Sequence, residues 1–133
     1  MNMMNFESWN TLNEKLSPEE IKTVETYADK LFSDVGLDVE FSKHFKDRIN
    51  DERNKKPITS AELIGLFKRA YSKSGKKIAQ LPVKAEAVIQ DMRTDINTPF
   101  VIEYDPRSKE LDLKMKTIMR KKDFQTTNPK ISI

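Results

Sequence analysis

Apolar residues recur with two different periods along this chain, and that change limits the fold more than any single motif. In the first half Ile21, Val24, Ala28, Leu31 and Phe32 fall on one helical stripe, and Leu63, Leu66, Phe67, Ala70 and Tyr71 on another. Past residue 110 the period is two: Leu111, Leu113, Met115, Thr117 and Met119 interleave with Asp112, Lys114, Lys116, Ile118 and Arg120. That pattern fits a strand with one apolar face and one mostly basic face. Helices first and strands second predict an α+β domain, with N-terminal helices packed on a small antiparallel sheet.

Local signals set the expected boundaries. Ser17-Pro18-Glu19-Glu20 supplies an N-cap, a proline at the first helical position and the glutamate of a capping box. Gly36 is placed to end that helix, and Leu37, Val39 and Phe41 alternate with acids as a short strand would. Ser42 can cap a second helix beginning near His44, with Phe45 and Ile49 inward and Arg48, Glu52 and Arg53 polar. Asn54-Lys55-Lys56-Pro57 interrupts it. Thr59 and Glu62 form a second capping box, and Gly75 stands where a helix C-terminal glycine belongs. The short apolar run at residues 85–92 fits either a helix or a strand and leans to strand, while residues 100–104 read as a strand, Asp105-Pro106-Arg107-Ser108 as a turn, and 111–120 as one long closing strand. Residues 1–16 are expected to be a flexible leader, although Phe6, Trp9 and Leu12 are spaced to dock as one amphipathic turn. Residues 17–124 then make a single domain, and 125–133 a loose C-terminal tail.

Composition excludes several chemistries. With no cysteine among 133 residues there are neither disulfides nor thiolate ligands, and a single histidine argues against an imidazole-based metal centre. No metal or cofactor is expected. No stretch approaches membrane-spanning length, and the N-terminus lacks the basic-then-apolar form of a signal peptide, so a soluble cytoplasmic protein is expected. Charge is uneven. Residues 1–40 hold nine acids against three lysines, so residues 41–133 carry +9 within a formal net charge of +3. The basic part is a candidate surface for a polyanion, or simply a solvated lysine-rich face.

The segment LDVEFSKHFKDRINDERNKKPITSAEL resembles a recurring block of the RelE-like toxins and RegB-like phage endoribonucleases of the barnase–RelE superfamily. It shares with them a short strand, Ser-Lys-His at a helix start, an arginine four residues after the histidine, a second arginine and then a capped helix. The closing KTIMRKKDF is similar to the last sheet strand of such domains and to small bacteriophage proteins that end in a basic strand. The resemblance spans roughly residues 37–124. It implies helices against a small antiparallel sheet, RNA as the partner, a host-cell cytoplasmic location for a phage-encoded protein, and hydrolase activity on RNA. One departure matters: RegB-like enzymes use more than one histidine, and this chain has one.

Metal-independent RNA cleavage needs a base for the 2′-hydroxyl, an acid for the leaving 5′-oxygen and cations for the phosphoryl charge. Histidine is the side chain suited to proton transfer near neutrality. His44 is therefore the candidate catalytic base, with Arg48 one helical turn later as its catalytic partner. Arg53, Lys114, Lys116 and Arg120 are the candidate substrate-binding cations. Thr117 points away from Lys116 and Arg120 on a regular strand, so all three share one site only across a bulge. The alternatives are plain. A first-turn histidine is more often a surface or packing residue, so His44 also reads that way, Arg48 and Glu52 as an exposed i, i+4 pair, and Lys121-Lys122 as a solvated basic end. Two functions follow: an endoribonuclease, or a non-catalytic phage accessory protein of the same fold that binds RNA or a host or phage protein.

Overall fold

Helix α1 (Pro18–Ser33) begins at the capping box read from the sequence: Ser17 Oγ accepts the Glu20 N–H, and Glu20 returns a carboxylate to the Ser17 N–H. The protein is described by a computed structural model covering residues 15–133, so the expected leader lies outside the described residues except for its last two positions. Leu16 is not part of a flexible leader. It is buried, and its backbone N–H and C=O both bond to the Asn50 side chain at 2.9 Å.

After α1 come β1 (Leu37–Phe41), α2 (Lys43–Ile49), a 3₁₀ turn (Glu52–Asn54) and α3 (Ser60–Ala79). The strands β2 (Glu86–Gln90), β3 (Ile96–Asp105), β4 (Glu110–Met115), β5 (Met119–Arg120) and β6 (Lys130–Ser132) follow. The fold is α+β, with the helices largely N-terminal to the sheet. Strand order is β1-β4-β3-β2-β6, with β5 also pairing to β3. The β2–β3–β4 meander is antiparallel as expected, whereas β1 joins β4, and β6 joins β2, in parallel, which makes the sheet mixed.

Phe32, Phe45, Phe67 and Phe100 are fully buried between helices and sheet, each contributing about 1.5–3 kcal/mol of transfer free energy. Helix α2 has only seven residues and is too short to persist alone. Phe45 anchors it, its ring centroid 4.4 Å from that of Phe41, which in turn stacks on Phe67 of α3 at 5.6 Å. The outer edge of β1 is closed by α1. Asp29 Oδ1 accepts the Val39 N–H at 2.9 Å and Glu25 Oε2 the Phe41 N–H at 2.7 Å. Asp29 and Glu25 are one helical turn apart, and the two amides are alternate residues of the strand, so helix and strand repeats match here.

Three expectations are corrected. Gly75 does not end its helix; α3 continues to Ala79. A Cβ at Gly75 would come 3.1 Å from Tyr71 Cδ1, so the glycine makes room for the Tyr71 ring, which packs edge-on against Phe32. The tail is not loose, because β6 pairs with β2 and buries Ile131 and Ile133. The long closing strand is broken at residues 116–118, and the cause lies across the sheet. The antiparallel register sets Pro99 of β3 opposite Lys116. Lys116 N–H still donates to the Pro99 carbonyl at 2.9 Å, but proline has no N–H to return. The Lys116 carbonyl is taken instead by the Ser42 hydroxyl at 2.9 Å.

Candidate nucleic-acid interface

Ser42 makes two connections at once. Its hydroxyl oxygen accepts the Phe45 N–H at the start of α2, while its O–H holds the Lys116 carbonyl. The N-terminus of α2, and His44 with it, is thus fixed to the break between β4 and β5. His44 is exposed on the first turn. Its Nε2 accepts the Arg48 Nε–H at 3.3 Å, the one-turn relation expected from their spacing.

From Arg48 a chain of polar contacts continues. Arg48 Nη1 donates to Asp51 Oδ2 at 2.6 Å, and Asp51 also takes Arg53 Nη2 at 3.1 Å and Arg53 Nε at 3.2 Å. Asp51, not Glu52, is therefore the acid paired with Arg48. Its signal in the sequence was an aspartate three residues after one arginine and two before another, which also caps the 3₁₀ turn. His44, Arg48 and Arg53 thus form one continuous line, with Asp51 orienting both guanidinium groups.

Arg53 ends that line at the wall of a cleft of about 550 Å³. The loop of Arg53, Asn54, Lys55 and Lys56 forms one side, Met119 to Lys122 the other, and among the described residues Asp95 is its one acid. Asn54, buried, sets the distance between the sides. Its amide nitrogen donates to the Arg48 and Ile49 carbonyls, closing the end of α2, and its oxygen accepts the Arg120 N–H of β5 at 3.0 Å. Asn97 Nδ2 ties down the far side through the carbonyls of Met119, Lys121 and Asp95. Nothing in local sequence pattern marks Asn54 or Asn97 as organising residues.

The other predicted cations are placed differently. Arg120 is in the cleft wall but is only 11% exposed in its side chain, and its donors are committed. They reach both Glu62 oxygens and the carbonyls of Lys56, Pro57 and Thr94. Burial alone would raise the Glu62 carboxyl, but the Arg120 hydrogen bonds, the Thr59 N–H and the charges of Arg120 and Lys56 outweigh it and hold it below its usual value. Arg120 shapes the cleft instead of presenting a free fork to a substrate. Lys114 lies between Glu40 and Glu103, and Lys116 reaches Glu86. Neither lines the cleft, because the break at residues 116–118 takes them out of line with Arg120. His44 does not stand at the mouth of this cleft either; it sits on the open surface of α2.

The opposite end of the sheet is acidic. Asp112 pairs across β4 with Asp38 on one side and Glu103 on the other. Its carboxyl is pushed up to about 6 by burial first, then by the charges of Glu40, Asp38, Asp105 and Glu103. Among the described residues these acids do not converge as a metal-binding group, and no helix is long and apolar enough to cross a membrane. Comparison with protein-family models, with curated proteins and with solved structures found no match to this chain.

Proposed function

We propose that the protein is an endoribonuclease that cuts RNA by acid–base chemistry, with His44 as the base. The observation that carries this reading is the pairing of the exposed His44 Nε2 with Arg48 Nε–H, continued through Asp51 to Arg53. An Nε2 that accepts a hydrogen bond keeps its lone pair there, and the neutral ring then carries its proton on Nδ1. Arg48 is suited to leave the imidazole for a phosphate, to which a guanidinium binds in a two-pronged fashion. That move frees Nε2 to take the 2′-hydroxyl proton. The 2′-oxygen then attacks phosphorus, the bond to the 5′-oxygen breaks, and the leaving oxygen takes its proton from water, since the chain has no second imidazole. The products are a 2′,3′-cyclic phosphate and a 5′-hydroxyl.

A second reading, RNA binding without cleavage, is favoured by a different observation: the cleft cations gather beside Arg53 and not around His44. Incubating varied RNAs with purified protein and a chelator separates the two. Cyclic-phosphate ends that disappear in His44→Ala support the nuclease, and intact RNA bound by the protein supports the binder. Fragments that persist unchanged in His44→Ala would remove His44 from the mechanism.

A further inference from the structure

We propose that the cleft between the Arg53–Lys56 loop and β5 binds the phosphate backbone of a single-stranded RNA segment flanking the cut site, a placement that rests on the ribonuclease reading above. Three observations converge on it. First, Lys55, Lys56, Lys121 and Lys122 form no ion pair with any described residue, whereas Lys114 and Lys116 are both paired to acids. Lysines on both sides of one groove, none of them ion-paired to a described acid, are a site for repeated negative charge.

Second, the loop is built to present them. Lys56 N–H donates to the Asn54 carbonyl at 2.6 Å, and Lys55 between them has φ 64 and ψ −50. This is a γ-turn of the rare positive-φ form, strained for any residue with a side chain. Such strain collects at functional positions, where the surrounding structure holds it. Here Asn54, Asp51 and Arg120 supply the hold.

Third, the chemistry selects the ligand. The Arg120 donors are spent on protein oxygens, and among the described residues no aromatic side chain lines the cleft to stack a base. Lysines act on phosphate as point charges, so the site reads the backbone and not the sequence. A cleft of about 550 Å³ has the size of a small-ligand pocket, which matches a short stretch of one strand.

The test uses the full chain carrying His44→Ala, so that binding is read without cleavage. A labelled single-stranded RNA is titrated across a salt series. The fourfold change of Lys55, Lys56, Lys121 and Lys122 to alanine should lower affinity about 100-fold at low salt and reduce the salt slope by about 3, at roughly 0.7 per phosphate contact. Lys114→Ala with Lys116→Ala, the matched control, should change neither. Equal binding by the fourfold variant overturns the proposal, as does an equal loss in the control or an equally tight complex with duplex RNA. If binding behaves as stated while the unmutated protein cuts no RNA, the cleft stands and the nuclease reading falls.

Discussion

The Arg120 guanidinium meets both oxygens of the Glu62 carboxylate, at 2.8 and 3.1 Å, across 58 residues of chain. Glu62 is also the capping-box residue of α3. The start of that helix and the short strand β5 are therefore held by one side-chain pair.

Arg120→Ala should destabilise the fold by about 2 kcal/mol or more, since it strands a half-buried carboxylate and leaves three loop carbonyls without a donor. Because the native Glu62 carboxyl is held low, its contribution is present above the ordinary carboxylate range and lost as pH falls through the native value. Chemical denaturation should thus show the gap to the unmutated protein narrowing below about pH 4. A gap under 0.5 kcal/mol at pH 7 would show that the pair is ornamental.

Asp112 gives the opposite sign. Its carboxyl, raised to about 6, binds a proton more tightly folded than unfolded, so stability is lost as pH rises from about 4 through 6. Asp112→Asn should gain about 1 kcal/mol at pH 7, after allowance for solvent screening, and nothing at pH 4. Thermal melts at the two pH values check it, and an equal gain at both would point to packing instead of charge.

Lys55→Gly should separate stability from binding. Glycine adopts positive φ without a side-chain clash, so relief of the γ-turn strain should outweigh its added unfolded-state entropy by about 0.5 kcal/mol. RNA affinity should fall at the same time, with the salt slope reduced by about 0.7. A melting temperature that drops would mean that the turn carries no strain.

The helix starts were legible because caps are local: Ser17, Ser42 and Thr59 each act within three residues. The break in the closing strand was not, because Pro99 removes its donor from a residue 17 positions away that only the sheet brings opposite. Nor could periodicity identify Gly75 as packing space for a neighbouring ring. Of the candidate site, His44 and Arg48 stand one helical turn apart as their spacing suggests, whereas Arg53, beyond the end of that helix, joins them only through Asp51, a link the spacing did not mark. Arg120, Lys114 and Lys116 carried the right charge for a polyanion. Their acidic partners, distant in sequence, decide that the charge is spent elsewhere.

The carboxylates of Glu25 and Asp29 on the β1 amides also determine how this molecule can meet copies of itself. An incoming chain that sought to extend the sheet at β1 would find those donors already taken and an anionic helix in the way. The other border, β6, offers only three residues, and β2 covers one side of them. Filament growth by strand addition is closed on one flank and given little purchase on the other.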